Sequence, residues 1–423
     1  MAELKSATSI EKIVVCHIRD FLPFPLKQLF PFVKRDLHLT IPPAKDVHEF
    51  MDLIGKNPPI PQGHKAAMDD TAVIIYTGGT TGIAKGVELT HRNLSYNCQQ
   101  AKAWVLEFVD GQEVVIGLLP LFHTYGLTAA MIMAIFHGWC NVLIAKPDAT
   151  VCLDMIQKYK ATFIPGVPTL FNAMINHPQI RKYDLRSLKA ALSGAAPLPM
   201  ETIRGFKDLT GIQLLEAYGL TETSPLTHAM PVGGKIKPGC IGLPAPDTDA
   251  KLVDVDDYSR EITAFGEPGE LCVKGTQIMK GYRNKPEETQ ASIRDGWFLT
   301  GDIATVDEEG YFTIVDRKKD MVISGGFNVY PREVDEILFA HPKIKEACAI
   351  GVPDSYSGER IKAFVVLKDG EEASDEEIIE YCRERMTRYK VPKYVEFCDE
   401  LPKSAVGKIL RRQLREMDKA KQG

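Results

Sequence analysis

The chain has 423 residues, 44% hydrophobic and 25% charged, which gives length for two or more domains and the balance of an ordinary globular protein. Lys and Arg number 51 against 56 Asp and Glu, a formal charge of −5, and no segment is a basic arm, so no nucleic-acid partner is expected. Nine cysteines at irregular spacing, without a Cys-x-x-Cys pair, argue against a disulfide framework or zinc site and fit a reducing cytoplasm.

Residues 1 to about 65 read as an irregular, proline-punctuated lead-in with one strand over 12–16. The Phe- and Leu-rich run 21–33 is interrupted by Lys27 and three prolines, so it is neither a signal peptide nor a span. From about 70 to 250, apolar runs at 72–76, 114–118, 142–145 and 161–164 alternate with helical ones such as 152–158. Strands separated by helices predict a mostly parallel sheet covered on both faces, with ligands beyond the strand carboxyl ends. The uncharged segment 114–145 is long enough to cross a bilayer. Pro120, His123, Thr124, Gly126, His137 and Asn141 favour strand, turn, buried helix, strand, and no transmembrane helix is expected.

From 250 to 316 the pattern changes to shorter strands at 251–255, 269–274 and 311–315, with residues 307–310 as a hairpin connection. After Asp316-Arg317-Lys318-Lys319-Asp320 a small α+β unit begins. Its first helix has Pro331 at the first position, then Val334, Ile337 and Leu338, and stops at His341-Pro342. Ser374 and Glu377 have capping-box spacing before a second helix, whose Ile378, Cys382 and Met386 form a core stripe.

The densest chemical signal is Tyr76-Thr77-Gly78-Gly79-Thr80-Thr81-Gly82-Ile83-Ala84-Lys85-Gly86, following a run read as a buried strand. Glycines let successive N–H groups converge on an anion, threonines add hydroxyls, and Lys85 adds a point charge. The spacing is not that of the common phosphate loop, in which Lys follows Gly and precedes Ser or Thr. A flexible linker has similar composition, but the strand in front speaks for a polyphosphate cradle. Four further clusters follow in order, each with an ordinary reading when taken singly. Pro120-Leu121-Phe122-His123 ends an apolar run with a histidine. Ser193-Gly194-Ala195-Ala196-Pro197-Leu198 is a turn that a flat ring could approach. Tyr218-Gly219-Leu220-Thr221-Glu222-Thr223 offers an aromatic face, a hydroxyl and a carboxylate, and Thr300-Gly301-Asp302 sets a carboxylate on a turn.

Together with 316–320 and Leu401-Pro402-Lys403-Ser404-Ala405-Val406-Gly407-Lys408, these clusters resemble the AMP-forming acyl-CoA synthetases of the adenylate-forming superfamily. The resemblance covers residues 70 to 412. The form of the first loop and Leu-Thr-His-Arg-Asn-Leu at 89–94 resemble the fatty-acid–CoA ligases most. It implies an α/β fold: a large domain (1–316) of mostly parallel sheets flanked by helices with a small β-rich subdomain, then a small mobile α+β lid domain (320–423) on a hinge at 316–320. It implies ATP, Mg²⁺ and coenzyme A, and conversion of a fatty acid to an acyl adenylate and then to acyl-CoA.

By the same resemblance, Thr77, Gly78, Gly79, Thr80, Thr81, Gly82 and Lys85 would hold the β- and γ-phosphates. Thr80, Thr221 and Glu222 would meet Mg²⁺ or phosphate. Tyr218 and Gly219 would face adenine beside Gly194, Ala195, Ala196 and Pro197. Asp302 would accept from the ribose hydroxyls and Arg317 would add donors. Lys408 would bridge the carboxylate and the α-phosphate, and Lys319 would be the hinge. Gly325 and Gly326 would leave room for the pantetheine arm. His123, with Tyr125, Leu127 and Gly166-Val167-Pro168, would line the acyl site. No tunnel-gating Trp stands near Leu127, which leaves chain length open.

Family members carry a further region before the position of residue 1, so a fragment, an internal start or an inactive truncated form is an expectation to set beside the catalytic one. An aryl acid as substrate, or a carrier protein as acceptor, stays open. So do a homodimer and a peripheral membrane contact of an otherwise cytoplasmic protein.

Overall fold

The computed structural model describes residues 7–35, 44–56, 65–77, 84–145, 148–404 and 407–422. It divides into two compact units, Met1–Ala66 and Ala67–Gly423. The first is more regular than the one-strand lead-in expected: among its described residues, strand Ile13–Val15 pairs in parallel with Val47–Glu49, beside helices Leu26–Val33 and Phe50–Lys56.

The second unit is built on a seven-stranded sheet. Strands Cys140–Leu143, Val114–Gly117, Phe163–Gly166, Ala190–Ser193 and Leu214–Gly219 are parallel; Leu226–Ala229 and Leu243–Pro244 extend the sheet antiparallel. Successive side chains alternate between its faces. Ile116, Ile164, Ala191 and Leu214 pack with Phe171, Met174 and Phe206 of helices Pro168–Ile175 and Met200–Thr210. Val115, Phe163 and Ala190 pack oppositely with Cys98 of helix His91–Trp104, with Phe108, and with Met133 and Trp139. The uncharged segment is strand, turn, helix and strand as expected. Its helical run is π-helical over Leu127–Ile132, and no helix among the described residues is long and apolar enough to cross a membrane.

A six-stranded antiparallel sheet includes Thr248–Val253, Gly269–Gly275, Trp297–Val306 and Phe312–Arg317. The turn joining the last two is closed by Asp307 Oδ1, which accepts from the N–H groups of Glu309 and Tyr311 at 2.9 and 3.0 Å. The carboxyl-terminal sheet pairs Ile344–Asp354 with Gly358–Leu367, and packs on helices Pro331–Phe339 and Asp375–Arg383. Ser374 caps the second helix by accepting from Glu377 N at 3.1 Å. Helix Arg411–Gln422 covers the other face through Leu414.

A further expectation is corrected. The strand ahead of the Gly/Thr loop, Thr71–Thr77, belongs to a separate sheet and pairs antiparallel with Lys85–Thr90. It is an edge strand, so Tyr76 is 68% exposed where a buried strand was expected. A two-residue period with one face outward is what an antiparallel edge allows.

Candidate active site

A cleft of about 600 Å³ opens beyond the carboxyl ends of Ala190–Ser193 and Leu214–Gly219, where Gly194, Ala195, Tyr218 and Gly219 leave the parallel sheet. The antiparallel sheets supply its other wall. Asp302 and Arg317 face each other in register on neighbouring strands, with Arg317 Nε 3.5 Å from Asp302 Oδ1. Tyr218 Oη donates to Asp302 Oδ2 at 2.6 Å, so the carboxylate is held from two sides. Burial, then this neighbouring carboxylate, raises the Tyr218 pKa well above that of a free phenol and keeps the donor protonated.

Glu222 sits in the turn Thr221–Thr223, and its Oε1 accepts from Tyr282 Oη at 2.9 Å. The Tyr282 ring also lies 4.7 Å from Lys85 Nζ. Strand Gly281–Tyr282 pairs with Lys85–Thr90, which brings the phenol, the lysine and the carboxylate together. Gly219 is required for space: a Cβ there would stand 1.9 Å from Pro225 O.

His123 caps the helical run, its Nδ1 accepting from Tyr125 N at 3.2 Å. Burial, then the charge of Lys408, lowers its pKa. A neutral ring with Nδ1 as acceptor carries its hydrogen on Nε2.

Lys408 reaches the cleft on a tight turn. Ser404 N donates to Lys408 O at 2.8 Å, Leu410 N to Pro402 O at 2.8 Å, and Gly407 between them takes φ +75°. Burial, then the positive charge of Arg317, pushes its pKa down to about 7. Behind it Arg411 pairs with Asp335, lies 3.3 Å from Asp316 and 3.9 Å from Asp320, and so straddles residues 316–320.

Of the residues proposed from sequence, Thr77, Lys85 and His123 line this cleft, as do Gly194, Ala195, Tyr218, Gly219, Thr221 and Glu222, and Asp302, Arg317, Lys319 and Lys408. Gly78, Gly79, Thr80, Thr81 and Gly82 lie outside the described residues. Ala196 and Pro197 are not in the lining; the chain turns away after Ala195, which has φ +68°. Gly325 and Gly326, both at positive φ, lie on the exposed turn between Val322–Ser324 and Phe327–Val329, outside the cleft. Among the described residues no three His, Cys, Asp or Glu side chains cluster as a metal site. Among the described residues that line the cleft, Glu222 is the carboxylate beside Lys85 and Tyr282.

Sequence reasoning missed Tyr282 and most of the apolar end. There Trp104, Val105, Phe108, Met133, Phe163 and Met230 form an arm of the cleft, whereas Leu127, Gly166, Val167 and Pro168 do not line it. The arm is assembled from side chains far apart in the chain, each indistinguishable locally from core. A usable signal did exist in Asn93, Asn97 and Gln100, three amides on one face of a helix whose burial demands partners.

Residues 2–283 match the family model described as AMP-binding enzyme, and residues 333–408 match its C-terminal domain. The chain is 47% identical over 422 residues to a long-chain-fatty-acid–CoA ligase of Bacillus subtilis, covering 98% of this chain and 74% of that one. It is 42% identical to the protein of that name from Escherichia coli O157:H7, with the same coverage. Its fold matches crystalline ATP-bound MatB from Rhodopseudomonas palustris with TM-score 0.84 and 31% identity, over 98% of this chain and 81% of that one. The apo form of MatB gives 0.71 over the same shares of both chains.

Proposed function

This chain belongs to the AMP-binding enzyme family, and from that premise we propose that it converts a fatty acid, ATP and coenzyme A into acyl-CoA, AMP and pyrophosphate. The observation that carries the reading is one cleft with two unlike ends, an apolar arm for a hydrocarbon tail and a charged mouth for a nucleotide. The names of the relatives support fatty acids of long chain as the substrate class.

In the first half-reaction a carboxylate oxygen attacks the α-phosphorus of ATP, and the bond to pyrophosphate breaks. Two anions must approach, so fixed cations and donors carry the electrostatic load. Lys408 and Arg317 supply positive charge, and His123 can offer Nε2–H. Asp302 and Tyr218 position the nucleoside, while Lys85 and Thr77 face the phosphate end. One carboxylate, Glu222, suits Mg²⁺, which takes few carboxylates plus phosphate oxygens and water. The ion would neutralise charge on the leaving phosphates. In the second half-reaction the CoA sulfur attacks the acyl carbon, the bond to AMP breaks, and the thiol proton leaves.

The docked position of Lys408 suits the first half-reaction. The higher likeness to ATP-bound than to apo MatB supports residues 320–423 as a lid that turns about 316–320. Turning would withdraw Lys408 and present the exposed Gly325 and Gly326 to the pantetheine arm.

Pyrophosphate release across a panel of acids, with and without CoA, tests the reading. Release that rises with fatty-acid chain length and acyl-CoA that forms only with CoA are expected. Preferential use of aryl acids, or transfer only to a carrier protein, would replace it.

A further inference from the structure

Helix His91–Trp104 reaches both ends of the cleft. Asn97, Ala101 and Trp104, at i, i+4 and i+7, share the face that lines it. Ala101 and Trp104 border the apolar arm. Asn97, fully buried, does something else: its one carboxamide closes both backbone polar groups of Leu226. Leu226 N donates to Asn97 Oδ1 at 3.0 Å, and Asn97 Nδ2 donates to Leu226 O at 2.9 Å. The second Nδ2 hydrogen goes to Gln100 Oε1 at 3.0 Å.

Leu226 opens the strand that follows the turn Thr221–Thr223, which carries Glu222. The turn is tethered again at Ser224, whose carbonyl accepts from Thr128 Oγ1 at 2.7 Å and whose hydroxyl donates to Gln277 O at 2.9 Å. Thr128 belongs to the π-helical stretch that also borders the cleft, and Gln100 Nε2 donates to Gln277 Oε1 at 3.1 Å. Each of these tethers thus leads back, directly or through Gln277, to a helix that an acyl chain would touch. Satisfied buried amide networks hold one geometry, because any shift strands a donor or acceptor.

We infer that Asn97 is a positioning residue that couples the apolar arm to Glu222: a chain filling the arm against Ala101 and Trp104 orders this helix, and Asn97 passes that order to the turn. The inference rests on the fatty-acid reading above. It makes the distant tail of the substrate contribute to the rate at the phosphate end, and not to affinity alone.

Amide hydrogen exchange with dodecanoate and no nucleotide tests the coupling without turnover. Protection of residues 221–228 should rise in the wild-type chain and stay unchanged in Asn97→Leu at equal occupancy of the acid. In steady state, wild-type kcat for adenylation should climb with acid length. Asn97→Leu should lower kcat about 10²-fold, the scale of a small misplacement, and shift the length dependence into KM. Thr202→Val removes a part-buried hydrogen bond to Asn172 on the far side of the sheet, and as a destabilised control it should keep the wild-type slope. If Asn97→Leu does not fold, Thr128→Val deletes one tether at nearly constant volume and should give the same pattern, reduced. Protection of 221–228 that does not rise in the wild type, or that rises in these variants as in the wild type with the kcat slope kept, overturns the coupling alone. A wild-type chain that releases no pyrophosphate with any acid overturns the functional reading, and the coupling with it.

Discussion

The two ends of the cleft are built on opposite rules. At the mouth, charged groups are held by short, named contacts: Tyr218 on Asp302, Arg317 beside the same carboxylate, Tyr282 on Glu222. In the arm, Trp104, Phe108, Met133, Phe163 and Met230 present surface without a charge, and shape does the selecting. A mouth of this kind fixes where charge develops and tolerates little change. An arm of this kind adds binding in small, nearly equal steps, so its substitutions should grade specificity and not abolish reaction.

The sharpest way to break that contrast is at Lys408. Lys408→Ala should lower adenylate formation about 10²–10³-fold, the usual cost of a lost transition-state donor. Thioester formation from supplied acyl adenylate should stay within a few fold of wild type. Single-turnover assays of the two half-reactions measure both, and equal losses would remove the assigned role.

Next in size is Asp302→Asn, which replaces a charged acceptor held by Tyr218 and Arg317. Hydrogen bonds to charged groups are worth about 1.5–3 kcal/mol, so KM for ATP should rise about 10–100-fold while KM for the acid stays put. Titration of the two substrates in turn separates these outcomes.

Third is pH. Burial and Arg317 favour the neutral amine of Lys408, with its pKa near 7 and below the ordinary lysine value. The reactive ammonium is therefore present below pH 7 in the free protein and is lost above it. kcat/KM for adenylation should fall about tenfold per pH unit above 7, because kcat/KM reports the free enzyme. Anionic nucleotide favours the ammonium, so the same limb in kcat should lie at higher pH. Lys408→Arg should remove the limb, whatever its absolute rate.

The smallest step belongs to the arm. Each added methylene should raise kcat/KM about fourfold, from about 0.8 kcal/mol per buried CH₂, until the arm is full. KM for ATP should not follow. A flat response across chain length would deny the arm its substrate.

Particular elements show how far residues in order carry the reading. The parallel strands were visible because apolar runs alternated with helical periods, and Pro331 and Ser374 marked their helices by local rules at the helix start. The strand ahead of the Gly/Thr loop was placed in the wrong sheet. An apolar run of that length fits either a buried parallel strand or a half-exposed antiparallel edge, and only its partner Lys85–Thr90 distinguishes them. Glu222 was legible beside Tyr218, but its companion Tyr282 lies 60 residues on in a two-residue strand that carries no pattern.

By themselves, then, the residues in order determined which charged and hydroxyl-bearing groups stand at the mouth, since caps and acid-bearing turns are short-range arrangements with strong compositional marks. The arm and the amide tether at Asn97 were decided only in three dimensions. Both depend on which apolar or polar side chains from distant strands and one helix face the same space, and neither hydrophobicity nor helical period encodes that partner choice.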